Sequence, residues 1–143
     1  ARMISYDFHF KVYYKDVDQM GIVYYTRYFE MFEMARTELL NNIGIKVTDV
    51  EKNGIFLPVV SASCDYKKTA SFEQELLIKT TISTLPKARL NIEYSVHLKK
   101  DLSLIASGFT RHGFVDKNGK PKKPPAFLLN VFNTFFDKDK ETI

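Results

Sequence analysis

The sequence predicts an α+β domain, a curved antiparallel β-sheet wrapped around one long central helix, with a short C-terminal helix. Three observations carry this. Residues 6–15 and 89–99 alternate apolar and polar side chains with a period of two, the signature of half-buried strands. From about Tyr24 the apolar spacing changes to that of a helix and holds to Ile43. The later apolar segments are strand-length and follow one another through tight turns, which implies antiparallel pairing. One such sheet has one face to cover, and one long helix is available to cover it.

In chain order, Tyr6, Phe8, Phe10, Val12 and Tyr14 form one face of the first strand, against Asp7, His9, Lys11, Tyr13 and Lys15. Asp16-Val17-Asp18-Gln19-Met20-Gly21 is a polar turn closed by glycine. The helix follows, with Tyr25, Tyr28, Phe29, Phe32, Ala35, Arg36, Leu39 and Ile43 on one stripe and Thr26, Glu30, Glu33, Thr37 and Asn41 opposite. Met31 and Met34 widen the apolar face, so protein is expected to cover most of this helix. Asn42-Ile43-Gly44 stops it. Strands are expected at 55–66, where Pro58 argues for a sheet edge or a bulge, and at 74–84, 89–99 and 103–115. Lys100-Asp101 and Asn118-Gly119 turn the chain. A basic, proline-rich connector over 120–125 leads to the C-terminal amphipathic segment. Pro125 suits its first turn, and Leu128, Val131, Phe132 and Phe135 are expected to point inward.

The 143 residues suit one domain, expected to span 1–143. The 45% hydrophobic and 27% charged residues exclude a disordered or collagen-like chain. No apolar run approaches the roughly 18 residues of a membrane-spanning helix, and Ala1 to Lys11 has no apolar signal-peptide core. The lone cysteine, Cys64, permits no internal disulfide and suits a reducing cytoplasm. A net charge of +4 suits an anionic partner without choosing one.

The stretch from Val12 to Tyr25 resembles the signature of hot-dog-fold acyl-CoA thioesterases, namely the 4-hydroxybenzoyl-CoA thioesterase family with its tol-pal-associated acyl-CoA thioesterase branch. The pattern is a strand, then Asp-x-Asp-x-x-Gly, met by Asp16, Asp18 and Gly21. A short apolar stretch, Ile22 and Val23, precedes a helix carrying Tyr28, Glu33, Ala35 and Arg36. One departure is Tyr25, where the tol-pal-associated branch often has histidine.

The resemblance implies thioester hydrolysis of a small to medium acyl-CoA, or of an acyl carrier protein thioester, without cofactor or metal. It carries Asp18 to the catalytic position, as general base on water or as nucleophile, and the backbone N–H of Tyr25 to the thioester carbonyl. Free N–H groups at a helix start suit a developing oxyanion. Gly21 lets the backbone turn tightly, and Ile22, Val23, Tyr24 and Tyr28 would line the acyl site. Lys87 and Arg89, then Lys120, Lys122 and Lys123, would meet the phosphates of coenzyme A. The resemblance also implies a dimer at least, with a tetramer common among relatives.

Plainer readings exist for the same residues. Asp-x-Asp-x-x-Gly by itself is a turn in which aspartate bonds local N–H groups. Asp16 reads as structural. Aromatics at helical spacing are usually core, and the Glu33 and Arg36 pair reads as structural. His9, His97 and His112 accompany no Gly-x-Ser-x-Gly elbow, so a serine triad is not expected. Two other classes compete with an enzyme. A scaffold or acyl-binding protein of the same fold would not need Asp18. A nucleic-acid module would need stacked surface aromatics, whereas here they lie on the apolar phase and no RNP1-like segment occurs.

Overall fold

The computed structural model describes residues 3–141, so the outermost residues of the expected 1–143 domain lie outside it. The elements run β1 (Ile4–Lys11), α1 (Arg27–Asn42), α2 (Val47–Lys52), β2 (Val59–Tyr66), β3 (Glu75–Ile82), β4 (Leu90–Leu98), β5 (Leu104–His112) and α3 (Ala126–Glu141). The five strands form one sheet in the order β1-β3-β4-β5-β2, every neighbouring pair antiparallel.

Strand register sorts the side chains into rows. One row on the helix side runs Phe8, Ile78, Val96, Ala106, Tyr66 across all five strands. The next runs Tyr6, Thr80, Tyr94, Gly108, Cys64. The opposite face is polar, with Asp7, Lys79, Ser95, Ser107 and Asp65 in one row. Alternation therefore predicted the faces correctly, because a strand with one buried side tolerates no slip of a single residue.

α1 lies on the apolar face. Tyr28, Met31, Phe32, Ala35, Leu39 and Leu40 are buried, while Tyr25, Phe29 and Met34 of the expected apolar stripe are exposed. The Phe32 ring stacks on Tyr94 of β4, with centroids 4.2 Å apart and planes inclined by 11°. It also lies against Gly108, where an added Cβ would come within 2.8 Å of the ring and closer still to the Ser63 carbonyl oxygen. Only glycine lets the helix and β5 approach this closely. The helix ends as expected at Gly44 (φ +90°), and the Ile45 N–H reaches back to the Leu40 carbonyl at 2.8 Å, as in a Schellman motif.

Four expectations are corrected, and one short helix is new. β1 stops at Lys11 instead of running to 15. The Asp16 carboxylate captures the Tyr13 N–H at 2.9 Å, and Tyr14–Asp16 winds into a 3-10 turn that leaves Tyr14 exposed. α1 begins at Arg27, because Tyr24 to Thr26 are spent on the turn that enters it. The expected strand 55–66 is shortened to Val59–Tyr66, with Phe56 bridging Val115 instead. β2 is a sheet edge with a register shift between Val59 and Ser61, as Pro58 suggested. The six-residue α2, with only Val50 fully buried, had too short a pattern to announce itself. Finally, the C-terminal helix is not short. α3 has 16 residues, as many as α1, because its buried stripe of Leu128, Phe132 and Phe136 continues one residue beyond Phe135 at a spacing of four.

Gly108→Ala is expected to destabilise the fold by about 1–3 kcal/mol through overpacking against Phe32. Urea unfolding of the two proteins measures this. Equal midpoints would show that the helix moves away from β5 without strain.

Candidate active site

Between β1 and α1 the chain builds a loop held from several sides. Asp16 is its anchor, 1% exposed. One carboxylate oxygen accepts the Tyr13 N–H, the other meets Lys15 Nζ at 2.9 Å, and its main-chain carbonyl accepts the Tyr24 N–H at 3.1 Å. Two residues on, Asp18 serves a different geometry. Its Oδ1 accepts the N–H groups of Met20 (2.8 Å) and Ile22 (3.2 Å). Among the described residues its Oδ2 accepts no hydrogen bond. The tight turn between them needs Gly21 at φ +76°, with its N–H on the Asp18 carbonyl at 3.0 Å.

This loop is tied to the segment that enters β3. The Val23 N–H donates to the Ala70 carbonyl, the Phe72 N–H to the Gly21 carbonyl, and Ile22 bridges Ser71. It is tied to α1 by Arg27, whose guanidinium reaches the Lys15 carbonyl at 3.2 Å and pairs with Glu30 at 2.7 Å. The loop thus delivers a half-free carboxylate next to a helix start in the sequence. At that start the Tyr24 carbonyl accepts the Arg27 N–H. Among the described residues the N–H groups of Tyr25 and Thr26 have no acceptor. A helix leaves such donors unsatisfied, and they suit a developing negative charge.

The other expected site residues separate into two groups. Val23 and Tyr28 belong to the hydrophobic core, Ile22 is half-buried, and Tyr24 and Tyr25 are exposed, Tyr25 by 66%. Burial pushes the Tyr28 hydroxyl up to about 12, with Cys64 adding to the shift. Lys87 and Lys122 share the wall of one cavity of about 400 Å³ with Ala88, Pro121, Lys123 and Pro124. Asp18 takes no part in that wall, and Arg89 turns back to the Ala88 carbonyl instead.

Two features escaped the sequence reading. The first is Tyr66, at the end of β2. Its hydroxyl donates to the Tyr25 carbonyl oxygen at 2.9 Å, and its ring meets those of Tyr28 and Tyr25 edge-on. Desolvation of the hydroxyl and the neighbouring Cys64 thiol push its pKa up to about 12, so it is a donor at neutral pH. Cys64 is half-buried, and desolvation raises its pKa, which leaves it a thiol rather than a nucleophilic thiolate. The alternation in β2 would have placed Ala62, Cys64 and Tyr66 on one face, but nothing local pairs them with a turn 41 residues earlier.

The second is a buried polar chain under the middle of α1. The His112 Nδ1 lies 3.1 Å from the Leu57 carbonyl, which can only accept, so Nδ1 carries the proton. Nε2 is then the acceptor for the Thr110 hydroxyl at 2.9 Å, and Thr110 Oγ1 accepts from the Tyr94 hydroxyl at 2.7 Å. Every member is buried and satisfied. Burial lowers the His112 pKa below its ordinary 6.5, outweighing the bond to Leu57, with Arg36 also opposing a second proton.

The thioesterase-like superfamily matches residues 12–132, a span from the end of β1 into α3. The chain belongs to that superfamily. It is 31% identical over 132 residues to the acyl-CoA thioesterase YbgC of Haemophilus influenzae, covering 92% of this chain and 94% of that protein. A 72-residue stretch is 38% identical to the putative acyl-CoA thioesterase YneP of Bacillus subtilis, and spans only about half of each protein, 50% and 52%. In fold it superimposes on the DHNA-CoA thioesterase of Staphylococcus aureus with a TM-score of 0.87 at 22% identity, over 97% of this chain and 95% of the other. The sheet order and the helix on its face are therefore those of the expected hot-dog fold. In this thioesterase-like chain the Asp18 loop and the start of α1 fall inside the matched span.

Because the folded protein resists protonating His112 while the unfolded chain accepts a proton near 6.5, the unfolded state binds more protons below that pH. Stability is expected to be unaffected by this group above about pH 6.5 and to decline as pH falls towards the folded-state value. Melting temperatures of wild type and His112→Gln between pH 8 and 5 test this. The decline should be shallower in the variant, and parallel profiles would exclude His112 as its source.

Proposed function

We propose that this thioesterase-like protein is an acyl-CoA thioesterase, hydrolysing an acyl-CoA to the free acid and coenzyme A through Asp18. One observation carries the reading: Asp18 has one oxygen locked by its own loop and the other unengaged, in a loop clamped to a helix start with unpaired N–H groups. A locked carboxylate loses little entropy on meeting its substrate, which favours reaction from one orientation. Its free oxygen takes a proton from water as the water adds to the thioester carbon, or adds to that carbon itself. The N–H of Tyr25 supports the oxygen on which negative charge gathers. In the first route collapse expels the coenzyme A thiolate, which takes the proton back from Asp18; in the second it leaves an Asp18–acyl anhydride, which water hydrolyses to the acid and free Asp18, the released proton going to the thiolate.

The basic depression of Lys87, Lys122 and Lys123 is the proposed seat of the coenzyme A phosphates, on charge complementarity. The free cysteine fits action in a reducing cytoplasm.

Asp18→Asn keeps the size of the side chain and removes its basicity. Hydrolysis of acyl-CoA esters, followed by free-thiol release, is expected to fall by roughly 10²–10⁴-fold with the fold unchanged. Activity near wild type would remove Asp18 from the mechanism, and a wild type inactive across short, medium and aromatic acyl groups would overturn the enzyme reading.

We further propose that the working unit is a homodimer joined along β2. This edge strand leaves backbone groups unpaired and shows Val59 and Val60 to solvent at its start and Tyr66 at its end, where the exposed Tyr25 ring meets Tyr66 and Phe29 of α1 is also exposed. A second copy presents the same apolar strip, so a two-fold pairing satisfies both edges at once. Val60→Glu places like charges across such an axis. Light scattering is expected to report a dimer for wild type and a monomer for the variant. Two equal masses would argue against β2 as the seam.

A further inference from the structure

The Tyr66 hydroxyl donates to a main-chain carbonyl, with the Cys64 thiol beside it. That carbonyl belongs to the peptide unit joining Tyr25 to Thr26, and the Thr26 N–H at the other end of the same unit has no acceptor among the described residues. In a planar trans peptide the C=O and N–H point in opposite directions. Holding the oxygen therefore fixes where the N–H points, and a hydrogen bond to the oxygen polarises that N–H into a better donor. The remaining bond to this carbonyl, from the Tyr28 N–H, is long at 3.4 Å. The Tyr24 side of the turn is held by main-chain bonds to Asp16 and Arg27, so Tyr66 is the side-chain clamp on the Tyr25 side. Edge-on contacts with Tyr28 at 5.3 Å and Tyr25 at 6.3 Å keep its ring in place.

We infer that Tyr66 is a positioning residue for thioester hydrolysis: by holding the Tyr25 carbonyl, it orients and polarises the Thr26 N–H, which acts beside the Tyr25 N–H as a second donor to the substrate carbonyl. The inference rests on the acyl-CoA thioesterase reading above. Tyr66 does not touch the reacting atoms. It acts through the backbone, and its hydroxyl is worth more as charge develops on the substrate oxygen than while substrate merely binds.

Tyr66→Phe removes one oxygen and keeps the ring. Loss of a neutral hydrogen bond of this kind corresponds to about a 3- to 10-fold change in rate. The variant is expected to lose kcat by that factor, with KM for acyl-CoA within about two-fold and an unchanged melting temperature; an interaction confined to the transition state has this signature. In the free protein the Thr26 amide proton resonance is expected to move upfield, while amides of β3 and β4 stay in place. An unmoved Thr26 resonance, an unchanged kcat, or a change confined to KM would each overturn the inference. Measuring Asp18→Asn alongside separates the two ideas. If that variant is inactive while Tyr66→Phe keeps full kcat, only the role of Tyr66 falls. If wild type hydrolyses no acyl-CoA, both fall.

Discussion

The contact of the Phe32 ring with the bare backbone of Gly108 is the constraint on which the rest of the molecule depends. A helix carrying aromatic residues normally stands off from a sheet by the depth of the side chains beneath it. Here one row of the sheet offers no side chain at β5 and a flat ring at β4, so Phe32 drops in, stacked on Tyr94 and seated on Gly108. That fixes the depth of α1 over the sheet. From it follows the reach of everything at the N-terminal end of the helix. Tyr28, one turn earlier, meets Tyr66 on the far strand, and Tyr66 in turn grips the Tyr25 carbonyl. Core packing and the geometry of the candidate site are thus one problem, because dense interiors transmit a small displacement instead of absorbing it.

Under α1 the buried polar groups of β4 and β5 close their hydrogen bonds in a chain, whereas the buried Thr80 hydroxyl of β3 has no partner among the described residues. The chain from Tyr94 through Thr110 and His112 to the Leu57 carbonyl has a single direction of donation, set by the carbonyl at its end. A buried network of this type is stable only while each member is satisfied, and a second proton on His112 would turn its acceptor nitrogen into a donor facing another donor. The two aspartates of the entry loop make a related contrast. Asp16 and Asp18 are the same residue type two positions apart, and both have their main-chain carbonyls committed, yet Asp16 commits both carboxylate oxygens whereas Asp18 commits one. The difference arises from the direction of the chain. The 3-10 turn before Asp16 folds back over it, and the glycine turn after Asp18 leaves its outer oxygen uncovered.

Much was legible in the sequence because it was written in periods. The clean alternation in β4 and the helical stripe from Tyr28 to Leu39 each reflect a burial pattern that any covering layer would demand. The motif around Asp18 was legible as well, since Asp and Gly at that spacing can do little except turn the chain and close it with a carboxylate. Lys87 and Lys122, 35 residues apart, were grouped by the resemblance and line one cavity in the structure, though their own surroundings in sequence say nothing of a common wall. What stayed hidden was short or distant. α2 spans less than two turns, and the clamp from Tyr66 to Tyr25 joins residues that share no local pattern.

By itself, then, the sequence determined which faces are apolar, where the chain turns, and which carboxylate lies before the long helix. These are consequences of side-chain type and spacing, which act over a few residues. Only the tertiary structure decided where the strand yields to the 3-10 turn, how far α3 extends, which helical aromatics stay in solvent, and which hydroxyl holds the start of α1. Those outcomes depend on which atoms compete for the same hydrogen bond or the same volume, and competitors far apart in the chain meet only once the sheet has closed over the helix.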